Sequence, residues 1–184
     1  TYLYDKSKGA TMLEIPFAHT LAGIKYVLGD YGDLTSKLIR RRETVKVSET
    51  GKDIPRSDFD QIMVHGVMKS GAAFSAHYRG GMSKGTNLLW EINGTDGDLQ
   101  ITGNIGHGQF AEMVLNASKA SEDEDLKVMD IPEEYSKGRP DGVIASNVAG
   151  VYALVADDIQ NGTKTAPSFA EALALHEVLA RIEG

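Results

Sequence analysis

A long β-rich block lies between two helical segments, and this order limits the possible fold more than any other feature. In the first segment, apolar residues recur at spacings of three and four, which predicts a helix from Leu13 to a stop at Gly29, opened or kinked by Pro16. The block that follows contains seven runs of strand-like composition. These runs cover residues 34–47, 59–68, 72–79, 86–93, 98–102, 110–118 and 125–131. Tight-turn sequences at 69–71 and 94–97 indicate antiparallel neighbours.

The chain becomes helical again after residue 142. Apolar side chains repeat at helical spacing over 144–159 and stop before Gly162, a typical left-handed cap. Ser168 and Glu171 have the spacing of a capping box that opens a last helix. We therefore predict an α+β fold, a large and mostly antiparallel open sheet with helices packed on one face. The length favours a single domain, 1–184.

Composition argues against several classes of protein. A net charge of -7 disfavours direct nucleic-acid binding, which needs a basic surface. The absence of cysteine excludes disulfides and thiolate chemistry, and is typical of a reducing compartment. The sequence shows no signal peptide and no apolar run of the ~18 residues that a spanning helix needs, so we predict a cytoplasmic protein without membrane contact. Because the sequence begins with threonine instead of methionine, we expect a fragment of a longer protein.

Basic residues concentrate between positions 37 and 46. They are Lys37, Arg40, Arg41, Arg42 and Lys46. On the predicted strand over 34–47, alternation sends Arg40 and Arg42 to one face and Arg41 to the other. We interpret these side chains as solvated charges that protect an edge strand.

Three motifs point to a known family. They are GATMLEIPFAHTL at 9–21, FSAHYRGG at 74–81 and WEINGTDGDL at 90–99. Together they resemble the carboxy-terminal substrate and dimerisation domain of Gfo/Idh/MocA oxidoreductases, in the branch that includes the yeast galactose-regulon repressor. The resemblance implies NAD or NADP as cofactor of the intact protein, bound by an upstream Rossmann domain. We expect no cofactor in this chain, because it has no glycine-rich strand-to-helix turn to hold a pyrophosphate.

The resemblance places His19 where the family keeps a histidine beside the nicotinamide and the substrate hydroxyl. His19 would then be a catalytic acid or base, since imidazole groups titrate near neutral pH. The alternative is a helix histidine that only packs or bonds a backbone carbonyl. Many family members carry an acid or histidine one turn earlier, where this chain has Ile15, and Glu14 is displaced by about 100° around the helix. The family's catalytic lysine belongs to the nucleotide domain.

Tyr78 and Arg79 are the predicted substrate-binding residues, because the resemblance matches them to a strand that ends in paired glycines. An arginine there offers planar donors to a sugar hydroxyl or carboxylate, and a surface salt bridge is the alternative. His65 and His77 fall on neighbouring predicted strands without metal-ligand spacing, so we predict no metal. His107 lies in a glycine-rich turn between strands, which is not a phosphate loop.

Two classes of function remain open. The intact protein would be an NAD(P)-dependent oxidoreductase acting on a sugar, polyol or related hydroxyl, with this domain supplying a substrate wall. Alternatively it would be a non-catalytic transcription regulator resembling the galactose-regulon repressor, and then nuclear, or a stand-alone ligand-binding or non-redox scaffold. Some strands have apolar residues on both faces, which predicts a homodimer through the sheet. The expected ligand is a small, sugar-like molecule.

Overall fold

The computed structural model describes residues 2–184, and the chain divides into two units. The first unit contains the residues up to Gly81 together with Phe169–Gly184, and the second contains Met82–Ser168. Every strand pair in the described part of the chain is antiparallel. The predicted α+β class, with strands between helical ends, is therefore confirmed.

The elements follow the predicted order. The helices are α1 (Ala18–Leu28), α2 (Val143–Asn161) and α3 (Phe169–Glu183). The strands are β1 (Tyr31–Ile39), β2 (Thr44–Lys46), β3 (Asp53–Pro55), β4 (Gln61–Met68), β5 (Ala73–Arg79), β6 (Leu88–Asn93), β7 (Gly97–Gly103), β8 (Met113–Lys119) and β9 (Lys127–Val128). A π-helical turn, Leu13–Phe17, precedes α1, and short 3-10 turns occupy Tyr2–Tyr4, Lys6–Lys8 and Glu133–Tyr135.

The main sheet of the first unit has the strand order β1-β4-β5. Ile62, Val64 and Met68 of the central strand are at most 2% exposed, while His65 and Val67 of the same strand are exposed. This alternation is the period of two expected for a strand with one covered face. Each of the three buried side chains contributes about 1.5–3 kcal/mol through removal from water.

Three side-chain hydrogen bonds attach helices to the edge strand β1, and one of them runs from Arg181 of α3 to the carbonyl of Gly32 at 2.6 Å. The Tyr31 hydroxyl donates to the carbonyl of Leu21 in α1 at 2.8 Å. The Ser36 hydroxyl donates to the carbonyl of Ile182 in α3 at 2.6 Å. The helices from the two ends of the chain therefore meet the same strand.

A β-bulge between Tyr31 and Leu34 brings the backbone of β1 unusually close to β4. A Cβ added at Gly66 would lie 2.1 Å from the carbonyl oxygen of Asp33. No side chain fits at that distance, so the close approach requires glycine at position 66.

The predicted single strand over 34–47 was wrong, because β1 ends at Ile39 and β2 begins at Thr44. Between them, the backbone N–H groups of Arg41 and Arg42 donate to the two carboxylate oxygens of Asp60, both at 3.0 Å. In a continued strand these two amides would donate to backbone carbonyls of the neighbouring strand. Here they donate to a side chain, and the chain turns away from the sheet. The arginines therefore do not alternate on a strand as predicted. β2 then pairs with the three-residue strand β3, which the sequence pattern did not predict.

The second unit contains the four-stranded sheet β6-β7-β8-β9. Trp90, Ile101 and Leu115 are cross-strand neighbours on one apolar face. In this unit, the Asn147 side-chain amide of α2 donates to the carbonyl of Gln109 at 2.9 Å. That bond ties α2 to the loop between β7 and β8.

The end of α2 agrees with the sequence prediction. Gly162 has a left-handed backbone with φ 68°, and its N–H donates to the carbonyl of Asp158. The carboxylate of Asp158 then accepts hydrogen bonds from Thr163, Thr165 and Ala166, which fixes the segment that follows the helix. α3 begins at Phe169, directly after the predicted cap residue Ser168.

Candidate functional site

His19 lies exposed in the first turn of α1. The segment before it is held at Thr11, whose backbone N–H donates to the Glu14 carboxylate at 2.8 Å and whose hydroxyl also bonds that oxygen. The Glu14-to-Thr11 bond is one half of a capping box, and the Thr11 hydroxyl accepts from the Leu13 N–H at 3.3 Å; the threonine-to-glutamate spacing was available in the sequence but not recognised. Ile15 occupies the position one turn before His19, and the Glu14 carboxylate bonds Thr11.

The end of β5 meets the segment that carries His19. The Tyr78 ring packs against Phe17 with ring centroids 5.5 Å apart, and burial raises the pKa of its phenol. At Gly80, an added Cβ would lie 3.5 Å from the sulfur of Met12. The motifs at 9–21 and 74–81, which are separate in sequence, are therefore neighbours in the first unit.

Tyr78 and Arg79 lie on opposite faces of the sheet. Tyr78 is half-buried among the inner side chains, whereas Arg79 is exposed and pairs across strands with Gln61. The alternation of a strand makes this unavoidable for adjacent residues. The two predicted substrate-binding side chains therefore do not form one surface, and Arg79 is the one open to solvent.

Asp60 joins three parts of the chain at this end of the sheet. Its backbone N–H donates to the Ile39 carbonyl at 3.1 Å, and its carbonyl accepts from the N–H of Gly80 at 2.9 Å. Its carboxylate, 2% exposed, accepts the two amide hydrogen bonds of Arg41 and Arg42. Burial alone would raise the pKa of Asp60, but these donors and the Arg56 guanidinium outweigh it and lower the pKa.

A buried ion pair lies next to Asp60 in sequence and space. The Arg56 guanidinium donates to both oxygens of Asp58, at 2.8 and 2.6 Å, and its Nη1 is 3.5 Å from Asp60. It also lies over the Tyr4 ring, 5.3 Å from the centroid. Our sequence reasoning missed this cluster. The available signal was the placement of one arginine and two aspartates at alternate positions just before an apolar strand.

The other histidines do not assemble a metal site. His65 and His77 lie on the neighbouring strands β4 and β5, as predicted, and the imidazole of His77 bonds the Gln61 side chain at 3.0 Å. His107 lies in the loop between β7 and β8, also as predicted, against the ring of Phe110. Within residues 2–184, no group of three side chains is arranged to hold a metal ion.

The glycine-rich loop of the second unit does not have the geometry of a phosphate loop. The glycine-rich loop at 103–108 joins two antiparallel strands, so it provides no helix N-terminus for a phosphate. A cavity of about 490 Å³ opens near the start of the chain, but none of the predicted site residues lines it. No helix in the described part of the chain is both long and apolar enough to span a membrane.

Comparison with known proteins identifies the branch to which the chain is similar. Residues 1–103 match the family model described as Gal80p, C-terminal domain. The galactose/lactose metabolism regulatory protein GAL80 of Kluyveromyces lactis is 30% identical over 124 residues, which cover 62% of this chain and 27% of that protein.

Solved structures agree on the fold. A super-repressor mutant of Gal80p from Saccharomyces cerevisiae has a TM-score of 0.84 at 21% identity, over 99% of this chain and 49% of that one. Levoglucosan dehydrogenase in complex with NADH has a TM-score of 0.77 at 16% identity, over 100% of this chain and 50% of that one. The chain thus spans about half the length of these proteins. It belongs to the Gal80p C-terminal domain family, in a branch that shares its fold with NAD-binding oxidoreductases.

Proposed function

We propose that this chain is the substrate-binding and dimerisation domain of an NAD(P)-dependent oxidoreductase that acts on a sugar, a polyol or a related hydroxyl compound. The position of His19 carries this proposal. Its side chain is exposed on α1, and the residues just before it contact the glycine-ended strand β5. The structural similarity to levoglucosan dehydrogenase with NADH is consistent with it.

Oxidation of an alcohol removes a proton from oxygen and a hydride from carbon. His19 would accept the proton from the substrate hydroxyl. NAD or NADP, bound by another part of the intact protein, would take the hydride. Position 15, one turn earlier, carries isoleucine instead of the acid or histidine of many family members.

A direct test uses the intact protein with NAD⁺ and NADP⁺ and a panel of neutral sugars, polyols and sugar acids. Reduced cofactor should accumulate with at least one substrate, at a rate that is lost on replacement of His19. A folded intact protein that reduces neither cofactor with any of these compounds would contradict the proposal.

The second candidate is a transcription regulator, and two observations favour it. Ile15 replaces the acid or histidine of many family members, and GAL80 of Kluyveromyces lactis is by its name a regulatory protein. A regulator would bind nucleotide without turnover and would be found in the nucleus, whereas an oxidoreductase would be cytoplasmic. Persistent absence of turnover together with nucleotide binding by the intact protein would select this function.

A further inference from the structure

The main sheet in the first unit carries an excess of positive charge along the side where the ends of its three strands lie. There β1 ends, β4 begins and β5 ends, and the segments 40–43, 56–60 and 79–81 together carry five arginines and three carboxylates. They are Arg40, Arg41, Arg42, Arg56, Arg79, Glu43, Asp58 and Asp60. We refer to these eight residues as the arginine edge. Its excess of positive charge is opposite in sign to the net charge of -7 of the whole chain.

The three carboxylates of the arginine edge are already engaged. Asp58 is bonded through both oxygens to Arg56, and Asp60 accepts two backbone amides and faces Arg56. Glu43 lies 3.9 Å from the guanidinium of Arg40. In residues 2–184, no carboxylate lies within ion-pairing distance of Arg41, Arg42 or Arg79. Their charges are therefore uncompensated and exposed.

Arg42 is placed where a small ligand can reach it. An added Cβ at Gly81 would lie 3.5 Å from its Nη1 atom, so the guanidinium lies beside the turn formed by Gly80 and Gly81. Gly81 is exposed, so a ligand that binds Arg42 can approach this turn from solvent, whereas Met12 and Asp60 fill the space beside Gly80. Asp60 holds this arrangement, since its carboxylate fixes the Arg42 backbone and its carbonyl fixes Gly80.

We propose that the arginine edge binds the carboxylate of a sugar acid, with Arg42 as the contact residue and Asp60 as the positioning residue. This inference rests on the proposed function, because it narrows the substrate from any sugar-like hydroxyl compound to one that bears a carboxylate. A guanidinium offers two parallel N–H donors that match the two oxygens of a carboxylate, and it discriminates against neutral hydroxyls.

The test measures binding to the intact protein by calorimetry, with D-gluconate as probe and neutral D-glucose as its comparison. Gluconate should bind at least tenfold more tightly than glucose, and its affinity should fall as salt is added. Arg42→Gln should weaken gluconate binding tenfold or more and leave glucose binding unchanged. Lys52→Gln, the same loss of charge on the exposed turn between β2 and β3, should leave both unchanged.

Three results would overturn the inference. They are equal binding of gluconate and glucose, gluconate binding that survives Arg42→Gln, and tighter Arg42-dependent binding of a hexaglutamate peptide than of gluconate.

Failure of the proposed function would give different results. Arg42-dependent gluconate binding without any cofactor reduction would contradict the oxidoreductase and support this inference, whereas turnover of neutral sugars without gluconate binding would do the reverse.

Discussion

Because His19 is exposed, a substitution there can test a catalytic role without removing a buried side chain. If the intact protein is an oxidoreductase, His19→Ala should lower turnover by ~10² to 10⁴, because a positioned base is lost, and should change substrate affinity less. The denaturant midpoint should hardly change, since no buried side chain is removed. Steady-state kinetics and urea unfolding of the same variant measure both effects.

Tyr26→Ala provides the matched control for His19, because Tyr26 is 92% exposed on the same helix. It should change neither turnover nor stability. A His19→Ala protein that loses stability by ~1–3 kcal/mol while each folded molecule keeps full activity would remove His19 from the site.

At the residue scale, the sequence predicted which motifs lie close together better than it predicted which of their side chains face the same surface. The motif that contains Tyr78 and Arg79 does lie against the segment of His19. However, strand alternation alone could not show which of the two adjacent side chains faces the core, because that depends on what packs against each face. The position of Arg42 beside Gly81 was not predictable. It depends on the turn between β1 and β2, which the sequence pattern predicted to be continuous strand.

Among the elements, the turn between β1 and β2 depends on Asp60. Asp60→Ala should destabilise the protein by ~3–5 kcal/mol, because it leaves the buried Arg56 with one partner fewer and two amides without an acceptor. Amide exchange at Arg41 and Arg42 should accelerate in parallel. The control is Asp53→Ala, which removes an exposed carboxylate from β3. Unchanged exchange at Arg41 and Arg42 would show that the turn does not need this carboxylate.

The segment after α2 should depend on pH through Asp158. Hydrogen bonds from Ala166, Thr165 and Thr163 lower the pKa of its carboxyl. The bonds therefore stabilise the segment at and above the ordinary aspartate pKa of about 4, and this stabilisation is lost only as pH falls below that range. Amide exchange at Thr165 and Ala166, measured from pH 6 to pH 2, should show protection until the lowest values.

Asp158→Asn should remove most of this protection already at pH 6, because an amide has one acceptor oxygen instead of two. The neighbouring Asp157→Asn, which affects only a bond from Asn161, should not. Protection in wild type that disappears near pH 4 would contradict the lowered pKa.

Element boundaries were predictable where local chemistry decides them. Gly162 ends α2 because the left-handed conformation suits glycine, and this needs no tertiary contact. The break between β1 and β2 was not predictable, because it is imposed by a carboxylate about twenty positions further along the chain. The sequence left open whether Pro16 opens the first helix or kinks it. In the structure, Pro16 lies inside the π-helical turn that directly precedes α1.

For the molecule as a whole, we predict that this chain alone binds no dinucleotide. The described residues contain no glycine-rich turn from a strand to a helix N-terminus, which is the usual pyrophosphate site. Titration calorimetry with NAD and NADP should show nothing tighter than millimolar, an affinity worth ~4 kcal/mol. A micromolar site would contradict this prediction.

We also predict a homodimer through the sheet. Val67 faces outward from the central strand and is 44% exposed, so a second copy would have apolar surface to cover. Such an interface would bury about 1,200 Å² or more and persist on dilution. Sedimentation equilibrium should give a dimer at micromolar concentrations, and a clean monomer would refute it. Val67→Glu should weaken the dimer, whereas Val151→Glu on the exposed side of α2 should not.

The contact between Gly66 and the bulge in β1 also affects how the hairpin-like pair β1 and β4 can form. If β4 slipped by one residue, His65 or Val67 would stand opposite Asp33, and its Cβ would meet a carbonyl oxygen at a distance no side chain tolerates. Misaligned pairings would therefore dissociate before the rest of the unit could pack on them. Gly66 thus helps to set the register of β1 and β4 during folding, because only the alignment that places glycine at the bulge avoids a steric clash.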